Sequence, residues 1–204
     1  MKNIIVTFVA IIVIALLAGA GFIYSGTYNV AATSKDGPLM SWVLITTRER
    51  SIEHRANNII APGDNVLNNP ETIRAGFEHY NEMCVVCHGA PGVEAGEARA
   101  GLNPKPPLLA KLKDLKDDPL GEVFWIIKNG IKMTAMPAWG PTHSDDKIWA
   151  MVSFVRKLPD MSAEEYKAMQ QQSAESGHMH EHGEPMEMST DHDHDEAQPH
   201  EHTH

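Results

Sequence analysis

The feature that most constrains this chain is an uncharged apolar run near its first residue. Residues 4–24 contain no charged side chain, and Thr7 is the only clearly polar residue before Tyr24. A helix rises ~1.5 Å per residue, so a run of this length spans about 30 Å, the thickness of the hydrocarbon core of a bilayer. We therefore expect residues 1–24 to form a transmembrane helix. Lys2 precedes the run, which predicts that the rest of the chain lies on the outer side of the membrane.

A cleaved signal sequence is the alternative to an anchor. Ala18-Gly19-Ala20 has the small-x-small form of a signal cleavage site. The apolar run continues beyond that site to Tyr24 and is long for a signal sequence, which favours an uncleaved anchor. Both hypotheses send the remaining residues to the same compartment.

The distribution of charge and cysteine excludes several classes of protein. The chain has 204 residues and a formal net charge of −10. Residues 1–160 balance 16 basic against 16 acidic residues, whereas residues 178–204 contain eight acidic residues and no lysine or arginine. The acidity therefore belongs to the end of the chain, and the lack of a basic excess argues against a nucleic-acid-binding protein. Two cysteines exclude a disulfide-stapled scaffold, a four-cysteine zinc site and a four-cysteine iron–sulfur site.

Residues 25–69 are predicted to be a connector with one helix, before a domain over residues 70–160. Helical spacing of apolar residues predicts that helix over residues 39–60, and helix-breaking residues follow it. Two hypotheses for this helix stay open. It packs on the main domain, or it lies beside the membrane, where Arg48, Arg50 and Arg55 contact lipid headgroups or a partner subunit.

Three helices are predicted within residues 70–160. The first begins at Pro70, and its continuous apolar face is formed by Ile73, Phe77, Tyr80, Cys84 and Cys87. The second is expected to open at Asp118 and to end at Gly130. The third follows Ser144 and ends before Pro159. No stretch alternates as a strand, so we predict an all-α domain.

Both cysteines of the chain lie in one short motif, Cys84-Val85-Val86-Cys87-His88. C-x-x-C-H is the pattern of c-type haem attachment. Cysteines at positions i and i+3 share a helical face and reach the two vinyl groups along one edge of a porphyrin, and His88 then lies under the iron as its proximal ligand. A zinc site would need a fourth strong ligand, and a thioredoxin-like pair would need a βαβ setting. We therefore expect one haem c per chain, bound covalently.

Further residues extend this motif into a family pattern. They are Gly76 and Tyr80 on the first helix, Pro104-Lys105-Pro106-Pro107-Leu108-Leu109, Gly130-Ile131, Met136-Pro137-Ala138 and Trp149. With them, residues 70–160 resemble the class I (mitochondrial-type) cytochromes c in their bacterial form.

The resemblance implies the remaining parts of a haem site. In the family the distal ligand is a methionine directly before a proline, which implies Met136 as the distal axial ligand, with Met133 as the alternative. It also implies that a carbonyl of Pro106 or Pro107 accepts the ring N–H of His88. The first and last helices of the family cross at a small residue, here Gly76, beside aromatic side chains such as Tyr80 and Trp149.

Histidine and methionine together fill both axial positions, which implies one-electron transfer and no enzymatic activity. We therefore expect an electron carrier of a respiratory chain, anchored in the bacterial cytoplasmic membrane with its haem domain on the periplasmic side. Its expected partners are redox proteins or subunits of a membrane complex, with no nucleic acid and no small-molecule substrate. The alternative is a haem-relay subunit of a membrane-associated dehydrogenase or terminal reductase complex.

Residues 161–204 are predicted to be a disordered, acidic, histidine-rich tail. Eight of the twelve histidines of the chain lie there: His178, His180, His182, His192, His194, His200, His202 and His204. Histidines that alternate with acidic residues suit Cu(II), Ni(II) or Zn(II), and nearby methionines suit Cu(I). A third hypothesis is therefore a metal-handling factor, against a solvated tail that binds metals without a function.

Overall fold

The protein is described by a computed structural model over residues 1–175. Within these residues the fold is all-α, as predicted, with one isolated bridge between Ala90 and Val93 in place of any strand. The helices are α1 Lys2–Tyr24, α2 Pro38–Ala56, α3 Asp64–Leu67, α4 Pro70–His79, α5 Val85–His88, α6 Leu120–Asn129, α7 Asp145–Val155 and α8 Ala163–Glu175. A π-helical segment, Tyr80–Cys84, joins α4 to α5, and short 3₁₀ turns lie between α5 and α6 and between α7 and α8.

Helix α1 is the predicted apolar helix. It has 23 residues, none of them buried by the rest of the structure. Its length and composition are sufficient to cross a membrane, which is consistent with an anchor.

Helix α2 is divided between a packed half and an exposed half. It begins at Pro38, in the first turn where proline is tolerated, and ends at Ala56, four residues before the predicted end. Ile52 and Ala56 are its buried residues, and they lie on the α6 side of the domain. The carbonyl oxygen of Ala56 lies only 3.0 Å from the position that a β-carbon would take at Gly121. The packing hypothesis is therefore correct for the second half of α2 only.

Helix α4 begins as predicted and continues as a π segment and α5 to His88. Pro70 is its first residue, and the Asn69 side chain caps it by accepting the backbone N–H of Glu71 at 2.8 Å. The chain stays helical without a break to His88, as predicted, but the π segment changes the register of the predicted apolar face before Cys84 and Cys87. A π turn holds one more residue than an α turn, and it therefore rotates α5 relative to α4. The buried Tyr80 hydroxyl donates to the carbonyl of Gly89 at 2.5 Å, which joins the start of this segment to the end of α5.

Helices α4 and α7 cross at Gly76, as predicted. A β-carbon at Gly76 would lie 1.9 Å from the carbonyl oxygen of Ala150, so only glycine permits this approach. The aromatic core surrounds the crossing. Tyr80 packs on Phe154 with ring centroids 5.3 Å apart, and Trp149 stacks on Phe124 at 4.2 Å.

The second and third predicted helices are present. Helix α6 has Pro119 as its N-cap, one residue later than predicted, and ends at Gly130. Helix α7 follows Ser144 and ends at Val155, and its residues from Ile148 to Val155 are all buried. These two helices and α4 form the core on which the remaining segments pack.

The predicted disordered tail contains an ordered helix, so that prediction is wrong for residues 163–175. Helix α8 begins with a capping box, in which Ser162 Oγ accepts the backbone N–H of Glu165 and Glu165 Oε2 accepts that of Ser162. Tyr166 is fully buried, lies edge-on to Phe77 at 5.3 Å between ring centroids, and donates from its hydroxyl to Asn81 at 3.0 Å. The eight histidines of the predicted metal site lie outside the described residues.

Candidate functional site

The two cysteines lie on either side of the junction between the π segment and α5. Cys84 ends the π segment, and Cys87 is the third residue of α5. Both are free thiols and both are partly buried. Gly89 ends α5 directly after His88, with a φ of 62° that favours glycine, and the chain turns there toward the long loop.

The environment of Cys84 does not suit thiolate chemistry. Burial raises the pKa of Cys84 to about 12, and the neighbouring Cys87 adds to the increase. A neutral thiol is a poor zinc ligand and a poor thiol–disulfide catalyst, because the thiolate is the reactive form in both cases. Within residues 1–175 no group of three or more histidine, cysteine or acidic side chains is arranged to hold a metal ion.

His88 has one ring nitrogen already engaged. Its Nδ1–H donates to the carbonyl of Pro107 at 2.9 Å. Burial lowers the pKa of His88, the hydrogen bond to Pro107 opposes this, and the charge of Arg99 adds to the lowering. The neutral ring therefore keeps the lone pair of its other nitrogen, Nε2, for a metal.

Of the two candidate prolines, only Pro107 contacts His88. The carbonyl of Pro106 accepts the Nε–H of Arg99 at 2.9 Å instead. The sequence left the choice between adjacent carbonyls open, and the path of the loop decides it.

Met136 lies in a tightly closed loop after α6. Gly130 has a φ of 64°, and a β-carbon there would lie 2.7 Å from the carbonyl oxygen of Met136. That same carbonyl accepts the backbone N–H of Ile131 at 3.2 Å. The Thr134 hydroxyl donates to Ile131 at 2.7 Å and accepts the backbone N–H of Met136 at 3.1 Å. Thr134 was missed by the sequence reasoning, although its position two residues before the methionine was the available signal.

The loop separates the two candidate methionines. Met136 is partly buried and packs against the same hydrophobic core as Cys84 and Val85. Met133 has a φ of 61° and is 91% exposed. The structure therefore brings Met136 and the cysteine motif to one core, and it directs Met133 to the solvent.

The comparison with known families agrees with this arrangement. The family model described as cytochrome c oxidase, cbb3-type, subunit III matches residues 71–155, a range that contains the cysteine motif and both methionines. This part of the chain is a class I c-type cytochrome domain. Such a domain carries haem c and transfers electrons to redox partners. A search of curated proteins finds no match to the chain.

The side chains of the cytochrome domain fit a covalently bound haem. Two free cysteines three residues apart are available for thioether bonds. His88 follows them, and because its Nδ1–H is bound to Pro107, its Nε2 is left for a metal. The thioether of Met136 is a second soft donor, packed on the same core.

Proposed function

We propose that this protein is a membrane-anchored monohaem c-type cytochrome that carries single electrons between partners of a respiratory chain. The observation that supports this most is the hydrogen bond from His88 to Pro107, on the residue that directly follows two free cysteines. Cys84 and Cys87 would hold the haem through thioether bonds, and His88 and Met136 would be the axial ligands. The bound haem supplies reversible one-electron oxidation and reduction of its iron.

Other residues of the chain would position the two proposed iron ligands. Pro107 fixes the tautomer and orientation of His88. Thr134 and Gly130 close the loop that carries Met136, so the backbone at Met136 is held by the chain's own contacts. A thioether ligand favours the reduced iron and raises the potential. If His88 and Met136 both donate to the iron, the haem would serve for electron transfer and would not bind a substrate.

Helix α1 would confine the cytochrome domain to the surface of the bacterial cytoplasmic membrane, on the periplasmic side. Confinement raises the effective concentration of a membrane-bound partner without any new contact. Lys2 on the starting side of the helix supports this orientation.

Two measurements on membranes from the producing cells test this proposal. A reduced-minus-oxidised spectrum tests for low-spin haem c, and an alkaline wash tests the anchor, because peripheral proteins are released and a spanning helix is not. We expect the haem to stay in the washed membrane, with residues 1–24 present in the intact mass. A haem-free chain contradicts the assignment as a cytochrome, and release of a shortened chain contradicts the anchor.

A relay subunit of a larger enzyme is the second candidate. The matching family model is named for a subunit of an oxidase, which favours this candidate. Purification in mild detergent separates the two proposals. A chain that elutes alone supports the free carrier, whereas a stoichiometric partner supports the relay subunit.

A further inference from the structure

The first half of α2 exposes an apolar surface that no described residue covers. Six of the seven residues from 39 to 45 are apolar and exposed, with Leu39 at 74% and Trp42 at 64%; the others are Met40, Val43, Leu44 and Ile45. Seven consecutive residues make almost two helical turns, so these side chains surround the helix and form no single stripe. A stripe fits a groove on a protein, whereas a helix that is apolar on all sides fits an apolar medium.

This apolar segment, residues 39–45, is flanked on both sides by residues that contact the cytochrome domain. Before it, the carbonyl of Ser34 accepts the side-chain N–H of Asn103 at 3.0 Å. After it, Ile52 and Ala56 are buried on the α6 side of the cytochrome domain. The segment is therefore part of a helix whose second half packs on the domain, and it is not part of the connector.

The apolar segment also lies close to the anchor along the chain. Only residues 25–37 separate the end of α1 from the start of α2. Even fully extended, such a connector spans at most about 45 Å. If α1 spans the membrane, the start of α2 therefore lies within about 45 Å of the surface where α1 ends.

The residues around the apolar segment suit a lipid interface. Residues 37–47 contain no charged side chain, whereas charges of both signs flank them, Lys35 and Asp36 before and Arg48 and Glu49 after. Charged residues at both ends of an uncharged segment fit the polar headgroups on either side of an inserted helix. Trp42 lies inside the segment, and tryptophan is enriched at membrane–water interfaces.

We propose that residues 39–45 insert into the outer interface of the membrane that α1 crosses. The inference rests on the proposed anchor and adds a second contact with lipid. The cytochrome domain is then attached at two points and does not rotate freely about its connector. Ser34 lies five residues before Leu39, so Asn103, at the start of the loop that leads to Pro107, lies within roughly 20 Å of the inserted segment.

Spin labels on the full-length, haem-loaded protein in lipid nanodiscs test this inference. The nanodiscs contain phosphatidylcholine and phosphatidylglycerol and no protein besides this chain and the scaffold protein. Single cysteines are introduced as Leu39→Cys and Val43→Cys, with Ile12→Cys in α1 as the lipid control. Ile60→Cys is the matched aqueous control, because Ile60 is equally apolar, 91% exposed and lies beyond the end of α2. Collision rates with oxygen, which concentrates in lipid, are compared with those with a water-soluble nickel chelate.

We expect the ratio of oxygen to nickel collisions to exceed one at positions 12, 39 and 43 and to fall below one at position 60. A ratio below one at 39 and 43, with position 12 above one, overturns the insertion and leaves the anchor intact. A ratio below one at position 12 as well overturns both proposals.

Two further results would assign the surface to a protein. Dipolar broadening at position 39 that disappears on dilution with unlabelled protein assigns the surface to a second copy of the chain and overturns the lipid contact. If positions 39 and 43 are accessible to the nickel chelate in nanodiscs but protected from it in native membranes, a protein partner covers this surface. That result also overturns the proposal.

Discussion

Two methionines three residues apart have opposite environments because of the way the loop that carries them is closed. The Thr134 hydroxyl bonds both ends of the loop that carries Met136, so the side chain at 136 packs on the core. Met133 lies at the exposed tip with a positive φ. At the residue scale, backbone geometry alone therefore distinguishes the two candidate ligands, because their side chains are identical.

Replacing Met136 with alanine tests this choice. Met136→Ala is expected to open the distal position, so the reduced protein binds carbon monoxide stoichiometrically. It is also expected to lower the potential by at least roughly 0.1 V within the ~0.8 V range that axial ligands set. Optical titration and potentiometry measure both effects. Met133→Ala is the matched control and leaves both unchanged; if the two variants exchange these results, Met133 is the ligand.

At the scale of elements, α8 lies beyond the matched cytochrome range yet buries Tyr166 in the core of that domain. We expect Tyr166→Ala to lower the free energy of unfolding by about 3–5 kcal/mol, the cost of removing a buried aromatic ring. Tyr166→Phe keeps the ring and loses only the hydrogen bond to Asn81, so about 0.5–1.5 kcal/mol is expected. Denaturant unfolding followed by circular dichroism measures both variants. Equal, small losses would contradict the docking of α8.

The crossing of α4 and α7 provides a second test at this scale. Gly76→Ala places a methyl group against the Ala150 carbonyl and is expected to cost about 1–3 kcal/mol of stability. Gly101→Ala is the control, because nothing lies within 4 Å of its β-carbon, and its effect should stay within about 0.5 kcal/mol. The same unfolding experiment compares them. A Gly76 variant as stable as the control would show that the helices do not cross there.

Local signals predicted the elements well where one residue type decides the geometry. Pro70 correctly predicted the start of α4, and Gly130 the end of α6. Gly76 correctly predicted the point where α4 and α7 cross. The π segment was not predictable from apolar spacing, since Tyr80 fits an α-helical face equally well.

Longer-range packing decided what the sequence left open or assigned wrongly. Helix α8 was missed because its acidic composition outweighed the capping box at Ser162 and the single buried Tyr166. The choice of Pro107 over Pro106 depends on how the loop passes His88, which no local pattern encodes.

At the scale of the whole molecule, the chain combines a helix able to span a membrane, a cytochrome domain and a histidine-rich end. The proposed haem ligands all lie before residue 160, so deletion of residues 178–204 should leave the visible spectrum and the midpoint potential unchanged. The same deletion should abolish most binding of Cu(II), Ni(II) or Zn(II), whose imidazole ligands are concentrated there.

Calorimetric titration of the full-length and the shortened chain measures this metal binding. In the full-length chain, binding is expected to weaken below about pH 6, because protonated histidine is not a ligand. Undiminished binding by the shortened chain would assign the metal site to other residues, such as His54, His79 or His143.

The central claim is that Cys84 and Cys87 bind haem covalently, and a haem stain of the boiled, denatured chain on a gel tests it most directly. The natural chain should stain, and so should Cys84→Ser, which keeps one thioether bond. Cys84→Ser/Cys87→Ser should show no stain where an antibody detects the chain, because neither thiol remains to bond the porphyrin. Covalent haem on the double variant, or none on the natural chain, would contradict the account.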